Sequence, residues 1–385
     1  MGIKFSTDFP GGNGLCLGIR EGNAEESVTV RFAAESKNCP IALWFHFRLT
    51  GLAGRTLRLI LANPEQTLGG LDWSKNKPVY RSPETKWQRT DKPIAIATSG
   101  GRTEWAYDLP KAQDAVEFAF CFPYQLEDLE ATLSELGDSF HTEEIGISPH
   151  GRRILRVRNK YRASDLPGVY LTARHHAGET PGSWVLDGLL RYVARSPKLR
   201  KSVAWWAVPF VSIDDVAEGS YGKDPWPWDI NRAYMHAGLK RPEARAVAVD
   251  VRRWAKECKP LLFIDLHAPA HRERENYVSI PLEDDEVFEQ SPGAKPIAQA
   301  YHAQTPEDIR SSCAWKKRTS KVTRYEGLSS SAWVRKELSI DAFTIETSYQ
   351  GNEKKDYTIA DYQRMGVALA ETIFQTARKT SGAKE

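Results

Sequence analysis

The hydrophobic pattern of this 385-residue chain changes its period once, near residue 125. Before that point, apolar and polar residues alternate in short runs separated by Gly, Pro, Asn and Asp, as in strands with one buried face. After that point, apolar strands alternate with helical segments. The chain is also longer than one hydrophobic core usually supports. We therefore expect an N-terminal domain over 1–124 and a C-terminal domain over 125–385.

The N-terminal pattern predicts an antiparallel β-sandwich. The predicted strands cover 27–35, 41–50, 56–63, 103–109 and 115–124. His46 alternates with Phe45 and Phe47, which favours a sheet residue over a metal ligand. Leucines with helical spacing follow residue 125, and Gly137 is a typical helix stop, so a connecting helix is expected there.

The C-terminal pattern predicts an α/β domain whose mixed sheet is flanked by helices. Predicted strands cover 152–158, 168–174, 204–211, 260–266 and 341–347, and predicted helices cover 180–196, 242–257, 286–303 and 358–379. We expect the basic first strand at a sheet edge, with Arg156 and Arg158 turned outward. Thr180 is expected to cap the first of these helices, with Pro181 in its first turn.

The composition excludes several classes of function. The chain has 53 Lys and Arg against 50 Asp and Glu, a near balance that argues against a nucleic-acid binder. Its five cysteines are scattered and form no C-x-x-C pair, which argues against a disulfide framework and fits a reducing compartment. There is no signal-peptide pattern and no apolar run long enough to cross a membrane. We expect a soluble, cytoplasmic protein without nucleic-acid or membrane partners.

Metal-binding side chains follow two of the predicted strands. His176 and Glu179 come after strand 168–174 on a turn that leads into a helix, so both side chains can reach one ion. His267 comes directly after strand 260–266. Ligands usually bind at the carboxyl ends of strands in an open α/β sheet. Two histidines and one carboxylate leave a zinc position open for water, as in hydrolytic sites.

Each of these elements is weak when it is taken alone. An H-x-x-E sequence occurs often by chance, and a histidine at a strand end is usually only hydrogen-bonded. The combination gains weight from the sequence DINR at 229–232 and from Glu346 at the end of strand 341–347. A glutamate there is costly to bury unpaired, so it either forms a salt bridge or faces the metal as a general base.

Four motifs carry a resemblance to a known family. They are, in order, HAGET (176–180), DINR (229–232), IDLH (264–267) and FTIETSY (343–349). Together they resemble the zinc carboxypeptidases of the M14 family, and more closely their cytosolic carboxypeptidase branch. The N-terminal segments are similar to the sandwich domain of that branch, namely WFHFRLTG (44–51), PVYRS (78–82) and FAFCFPYQLEDLEATLSEL (118–136). The resemblance therefore covers nearly the whole chain and implies a metallocarboxypeptidase with this two-domain fold.

The resemblance assigns roles to individual residues. It implies that His176, Glu179 and His267 bind one zinc ion. Either Asp265 or a backbone carbonyl orients a ligand imidazole, or Asp229 and Asp265 are both ordinary acids at strand ends.

The resemblance also implies the residues that act on the substrate. Asn231 and Arg232 are expected to hold the terminal carboxylate of the substrate, because a guanidinium beside an amide matches a carboxylate. Glu346 is implied to be the catalytic base, which takes a proton from water and returns it to the leaving amine.

Three positions depart from the family pattern. Ala177 replaces the proline of the H-P-G-E turn, a change that should not prevent zinc binding. The arginine that polarises the scissile carbonyl falls on Gly222, next to Lys223. Lys223 either stabilises the oxyanion as a point charge or is a solvated loop residue. The tyrosine that closes over the substrate in the family corresponds to either Tyr325 or Tyr349, and Tyr349 is as well explained by packing at a strand end.

The substrate is expected to be the C-terminal tail of a peptide or protein, or a branched amino acid. A serine in segment 326–331 replaces the arginine that reads a glutamate side chain in deglutamylating relatives. The basic segment 316–324 either attracts an acidic tail or is a solvated loop. Two alternatives are a zinc deacylase of small N-acyl amino acids, whose known forms lack the sandwich, and a catalytically degenerate peptide-binding protein, which the intact ligand set disfavours.

Overall fold

The N-terminal part of the chain forms two five-stranded sheets in a computed structural model. The structure describes residues 2–22, 27–52, 54–111, 114–159, 166–234, 240–280, 293–317 and 327–380. The N-terminal strands are β1 (Lys4–Ser6), β2 (Leu15–Glu21), β3 (Ser27–Ala33), β4 (His46–Thr50), β5 (Thr56–Leu61), β6 (Val79–Arg81), β7 (Gln88–Arg89), β8 (Ile94–Ala97), β9 (Thr103–Leu109) and β10 (Ala115–Ala119). One sheet has the order β1-β4-β10-β6-β7 and the other has the order β2-β3-β5-β9-β8.

The two sheets pack face to face through aromatic side chains. Phe32 of β3 lies 4.9 Å from Phe47 of β4 and 5.8 Å from Phe118 of β10, measured between ring centroids. The predicted sandwich is confirmed, although one pair, β3 and β5, runs parallel. Strands β1, β2, β6, β7 and β8 were not predicted, and most residues of β2, β7 and β8 are exposed rather than buried on one face.

The C-terminal part contains an eight-stranded mixed sheet and most of the helices. Its strands are β11 (Phe140–Ile147), β12 (Arg153–Asn159), β13 (Pro167–Ala173), β14 (Ala204–Val208), β15 (Lys259–His267), β16 (Tyr277–Ile280), β17 (Trp315–Lys317) and β18 (Ala342–Glu346), in the order β11-β12-β14-β13-β15-β18-β16-β17. The helices are α1 (Leu126–Leu136), α2 (Thr180–Arg195), α3 (Pro197–Ser202), α4 (Ile213–Glu218), α5 (Pro242–Glu257), α6 (Ala294–Gln304), α7 (Ser330–Leu338) and α8 (Ile359–Thr380). The predicted α/β fold class is confirmed.

Most predicted elements of this part occur close to their predicted bounds. The connecting helix is α1, which ends where Gly137 adopts a positive φ of 50°. The helix predicted over 286–303 is seen as α6, and residues 281–292 lie outside the described residues. In the described part of the chain, no helix is both long and apolar enough to cross a membrane. The predicted boundary at 124/125 falls in the loop between β10 and α1, and the division into two domains there stays a prediction.

The basic strand β12 does not lie at the sheet edge, contrary to our expectation. It pairs with β11 on one side and β14 on the other. Arg156 is fully buried, hydrogen-bonds to Asp250 and Glu143, and lies 4.0 Å from the ring of Trp206. Arg158 is half-buried and donates to the same Glu143 at 2.7 Å. The buried charge is tolerated because carboxylates neutralise it, a pairing that local periodicity does not reveal.

The central strands of the C-terminal sheet run parallel. β13 pairs in parallel with β14 and β15, and β15 pairs in parallel with β18. The carboxyl ends of β13, β15 and β18 therefore meet at one edge of the sheet. This edge is where His176, Glu179, His267 and Glu346 enter the fold.

One loop of the sandwich reaches into the C-terminal part and encloses His271. The ring of His271 is fully buried and lies 4.7 Å from the ring of Trp73. Its Nδ1 lies 2.8 Å from Nδ2 of Asn76, and its Nε2 lies 3.2 Å from the carbonyl oxygen of Gly70. These contacts fit a neutral imidazole that accepts at Nδ1 and donates from Nε2. Burial lowers the pKa of His271 to about 4.

This histidine predicts a loss of stability in mild acid. An unfolded histidine has a pKa of about 6.5, so between about 6.5 and about 4 the unfolded chain binds a proton that the folded chain does not. The free energy of unfolding should fall by up to about 3 kcal/mol over this range, in addition to the effect of other groups. His271→Gln keeps an amide in the site and removes the titration. Urea unfolding at pH 7 and pH 4.5 should show a smaller pH effect in the variant, and an equal effect would contradict the prediction.

Candidate metal centre

A buried arginine hydrogen-bonds the turn between β13 and α2 to a neighbouring loop. Arg174 adopts a left-handed backbone conformation, with φ of 62°. Its guanidinium donates to the carbonyl oxygens of Ala177 at 2.5 Å and Tyr124 at 2.7 Å. A non-glycine residue in this region costs energy and persists only when its surroundings hold it in place. Arg174 thus ties the turn to the chain that links the two parts of the protein.

Two imidazoles converge on the carboxylate of Glu179. Nδ1 of His176 lies 2.7 Å from Oε1, and Nδ1 of His267 lies 2.6 Å from Oε2. One possible ligand atom from each residue lies within 4.8 Å of the others. All three side chains are buried. The structure thus brings together the three residues that the sequence nominates as ligands, and their role stays a prediction.

Glu179 is available for this site because it does not cap its helix. It occupies the N-cap position of α2 without a side-chain capping bond, and Thr180 is the first helical residue. The expectation that Thr180 caps the helix is therefore wrong by one residue. The carboxylate turns toward the imidazoles instead, where Oε2 also accepts a hydrogen bond from the Ala268 amide at 3.1 Å.

The outer nitrogen of each imidazole faces a second carboxylate. Nε2 of His176 lies 3.3 Å from Asp229, and Nε2 of His267 lies 2.7 Å from Asp265. Metal-binding histidines usually donate their outer N–H in this way, which directs the other nitrogen to the metal. Of the two interpretations left open for Asp229 and Asp265, this geometry favours orientation of the imidazoles. Two nitrogens and a carboxylate are also a donor set that zinc accepts.

A buried network behind His267 was missed by the sequence prediction. Nδ1 of His175 lies 2.7 Å from Asp265, and its Nε2 lies 2.8 Å from the hydroxyl of Tyr234. Ser330 donates to the other oxygen of Asp265 at 2.7 Å. His175, Asp265 and His267 are close enough to bind a metal, but these hydrogen bonds already occupy His175 and Asp265. The two adjacent histidines, His175 and His176, are the sequence feature that could have indicated this network.

A third group of metal-type side chains lies at the surface. It consists of His150, Asp214 and Glu218. Arg152 donates to Asp214 at 2.7 Å and to Glu218 at 3.0 Å. Because this guanidinium already balances the carboxylates, the group does not resemble an ion site.

The buried carboxylates around the imidazoles are charged. Burial alone would raise the pKa of Glu179, but the two adjacent histidines hold it well below its usual range. The same balance of burial against histidine lowers the pKa of Asp265 and of Asp229. The pKa of His267 is raised well above its usual range, because Asp265 and Glu179 outweigh its burial. A site with this much buried negative charge suits a divalent cation.

Glu346 lies beside His267 in the sheet. It is the last residue of β18, and its Cα pairs with that of His267 in the parallel register of β15. The amide of Thr347 donates to the carbonyl oxygen of His267 at 2.9 Å, which extends the pairing by one residue. The side chain of Glu346 is half-buried.

The sequence DINR forms a single 3₁₀ turn over Ile230–Arg232. Asp229 begins the turn by accepting a hydrogen bond from the Asn231 amide at 2.7 Å. Oδ1 of Asn231 accepts from the amide of Ser330 at 2.9 Å, and its Nδ2 lies 3.0 Å from Nε2 of His267. Arg232 is mostly buried and donates to the carbonyl oxygen of Asn231 at 2.6 Å. The turn therefore places both predicted carboxylate-binding residues next to the metal-type cluster, with Asn231 engaged by the protein.

Gly222 occupies the position where the family pattern has an arginine. No side chain fits there unless neighbouring atoms move. Gly222 has a φ of 75°, and a Cβ added there would lie 2.6 Å from the amide nitrogen of Ala177. Lys223 is half-buried, and its charge contributes to the lowered pKa of Asp229. Of the two interpretations of Lys223, a wholly solvated residue is therefore disfavoured.

The remaining predicted residues are packed inside the fold, start α7 or lie outside the described part of the chain. Tyr325 and basic residues 318–324 lie outside the described residues. Tyr349 is fully buried, and its ring lies 4.8 Å from that of Phe120. In the serine segment, Ser329 caps α7, and the hydroxyl of Ser331 lies 3.2 Å from that of Thr344.

Comparison with known proteins shows which family the chain resembles. The sequence model described as the cytosolic carboxypeptidase N-terminal domain matches residues 5–121. Bovine cytosolic carboxypeptidase 3 is 25% identical over 309 residues, which cover 71% of this chain and 30% of the bovine protein. Cytosolic carboxypeptidase 1 of Xenopus laevis is 21% identical and covers 98% of this chain and 35% of its own length. The chain thus spans about a third of the length of these curated relatives.

A solved structure matches the whole fold. The crystal structure of a metallo-carboxypeptidase from Burkholderia cenocepacia superimposes with a TM-score of 0.80, at 18% identity, over 99% of this chain and 100% of that chain. The chain thus resembles the cytosolic carboxypeptidases in sequence and has the fold of a solved metallo-carboxypeptidase. The resemblance seen in the motifs is thereby confirmed. The metal-type cluster of this chain lies where its parallel strands end, at the sheet edge described above.

The close approach at Gly222 predicts a stability loss specific to this glycine. Gly222→Ala should lower the free energy of unfolding, because the new Cβ meets the Ala177 amide and its left-handed backbone disfavours alanine. Gly101 is a matched control, with φ of 72° and open space around its Cα. Denaturant unfolding should show about 1–3 kcal/mol more destabilisation for Gly222→Ala than for Gly101→Ala. Equal losses would mean that the contact with Ala177 is relieved without cost.

Proposed function

We propose that this chain is a zinc-dependent carboxypeptidase that removes an amino acid from the C-terminal end, or from a branch, of a peptide or protein. The observation that carries the proposal is the convergence of two imidazole Nδ1 atoms on the carboxylate of Glu179, with Glu346 in register on the next strand. The names of the relatives support the same class of reaction. Residues from three separate segments, the turn after β13 and the ends of β15 and β18, build this arrangement.

His176, Glu179 and His267 would hold the zinc ion. Their donor atoms, burial and charge fit such an ion, and Asp229 and Asp265 would fix the two imidazoles. A zinc ion bound there supplies Lewis-acid polarisation of the scissile carbonyl and lowers the pKa of water.

Glu346 would move the proton in this reaction. A carboxylate beside His267 can accept a proton from the attacking water and then give it to the leaving amine. Its half-buried side chain belongs to the residue in register with His267 on the neighbouring strand, which supports this role. Lys223 would stabilise the negative charge that develops on the carbonyl oxygen.

Arg232 and Asn231 would anchor the terminal carboxylate of the substrate. A buried guanidinium is a strong partner for a carboxylate, and it lies one residue from the amide of Asn231. Asn231 already bonds to Ser330, so substrate binding would require it to share or exchange that contact. A cation that binds the terminal carboxylate restricts cleavage to the end of the chain, so the enzyme would be an exopeptidase.

The substrate is a peptide or protein tail, and acidic tails belong to the set to be tested. The serines at the start of α7 offer hydroxyl groups rather than a guanidinium. We place the enzyme in the cytoplasm, in line with the cytosolic naming of the relatives. Metal analysis together with mass spectrometry of peptides carrying each C-terminal residue, polyglutamate and N-acyl amino acids tests this assignment. About one zinc per chain with single-residue trimming is expected, whereas protein without metal or trimming would contradict it.

Replacing the proposed base should separate metal binding from turnover. Glu346→Gln should keep its zinc and lower kcat by about 100- to 10,000-fold, because the amide cannot accept the proton. The matched control is Glu353→Gln, at an exposed glutamate that pairs only loosely with Lys75 at 3.4 Å. Kinetics on a trimmed peptide and zinc content of the same samples would check this. Near-normal turnover in Glu346→Gln would exclude the proposed base.

Replacing the proposed anchor should affect only substrates with a free carboxylate. Arg232→Ala should lower kcat/KM by about 10- to 150-fold on such peptides, which corresponds to the loss of a charged hydrogen bond of about 1.5–3 kcal/mol. Peptides with an amidated C-terminus should be poor substrates of the unmodified enzyme and should change little in the variant. If the unmodified enzyme cleaves amidated and free peptides equally fast, the anchoring role is wrong.

A further inference from the structure

A short segment of the sandwich contacts the loop that carries Lys223. We call Lys37–Cys39 the clamp segment and residues 219–228 the site loop. The hydroxyl of Ser220 donates to Oδ1 of Asn38 at 2.8 Å, and the amide of Trp226 donates to the carbonyl oxygen of Asn38 at 3.0 Å. The amide of Gly222 donates to the sulfur of Cys39 at 3.2 Å. The clamp segment thus grips the site loop on both sides of Lys223.

Neighbouring contacts fasten the start of the site loop to the same sandwich. Nδ2 of Asn38 donates to Asp215 at 3.2 Å, just before the loop. Nδ2 of Asn13 donates to the carbonyl oxygen of Gly219 at 2.7 Å, and Nζ of Lys37 donates to the carbonyl oxygens of Gly12 and Glu218. The loop therefore enters the site from a position that the sandwich determines.

The opposite side of the site loop lies against the candidate metal centre. The amide of Gly178 donates to the carbonyl oxygen of Tyr221 at 2.9 Å, and Gly222 lies against Ala177. The amide of Asp224 donates to Oδ2 of Asp229 at 2.9 Å. Lys223 lies between these contacts. The loop is thus held between the clamp segment and the turn that carries His176.

Backbone strain is concentrated at these contacts. Among the described residues, four non-glycine residues have a positive φ, and three of them, Lys37, Arg174 and Asp224, lie in the clamp segment, the turn or the site loop. Such conformations are uncommon and persist only where the surroundings determine them. Burial raises the pKa of Cys39 to about 11, so its thiol is neutral and acts as a hydrogen-bonding group.

We propose that Asn38 and Cys39 are positioning residues, through which the sandwich holds the site loop so that Lys223 faces the scissile carbonyl. The proposal rests on the proposed carboxypeptidase function. It gives the N-terminal sandwich a direct part in turnover. The competing interpretation is that the clamp segment only stabilises the fold.

Asn38→Ala tests the proposal in the full-length, zinc-loaded protein. Asn38 is partly exposed, so the change should leave folding intact. It should lower kcat about tenfold or more with unchanged zinc content, because a displaced Lys223 no longer stabilises the developing charge. The control is Thr85→Ala, which removes an exposed side chain whose two hydrogen bonds stay within the β6–β7 turn. Equal kcat in the two variants would overturn the proposal.

A double-mutant cycle distinguishes positioning from a merely structural effect. If Asn38 acts through Lys223, Asn38→Ala should change kcat little when it is added to Lys223→Ala. Losses that multiply would show that the two residues act independently and would contradict the proposal. Cys39→Ser should retain most activity, because its hydroxyl can accept from Gly222, whereas Cys39→Ala should not.

Hydrogen exchange gives a readout that does not depend on activity. Amides of the site loop should exchange faster in Asn38→Ala than in the unmodified protein, and amides of the β6–β7 turn should not change. Unchanged exchange in the site loop would overturn the positioning role by itself. If the unmodified protein trims no peptide, the proposed function fails, and this outcome is distinct from a failure of the clamp.

Discussion

The carboxylate of Glu179 between two imidazoles is the interaction on which the rest of the site depends. A charged, wholly buried carboxylate is tolerated only if positive partners surround it, and removing one partner of such a pair costs about 3–5 kcal/mol. The imidazoles in turn need Asp229 and Asp265 to fix their outer nitrogens. Each added carboxylate increases the negative charge that a cation must balance. A bound metal ion would balance this buried negative charge and complete the site.

The parallel register of the C-terminal sheet explains how distant segments supply these groups. β13, β15 and β18 end at one edge, so the residues that follow each strand meet there whatever their distance in sequence. A shift of β18 by one residue would turn Glu346 to the opposite face of the sheet. Ala342, Phe343 and Ile345 of β18 are buried in the core, and such a shift would move them out of it. The core packing of the sheet therefore sets the position of the proposed base.

Local sequence patterns could predict most strands and the metal-type cluster, because alternation and strand-end side chains are local features. They could not predict Arg156, which looks like an outward basic residue until Asp250, far along the chain, neutralises it. The same limit applies to His175, whose meaning depends on Asp265 and Tyr234. Strand β2 was also missed, although Leu15, Leu17 and Ile19 alternate in it, and both of its faces are mostly exposed. Local sequence patterns do not reveal pairing between groups that only the fold brings together.

The contacts around the site loop make the two parts of the chain interdependent. Gly222 can lie against Ala177 only because it lacks a side chain, and this closeness excludes the forked cation that the family pattern places there. The lysine in the next position carries its charge on a flexible stem. In the proposed mechanism, its effect on a developing charge depends on how firmly its backbone is held. The sandwich supplies that support through side chains of Asn13, Lys37 and Asn38. In the proposed mechanism, a lysine that takes the place of a rigid guanidinium therefore depends on the contact between the two parts for its position.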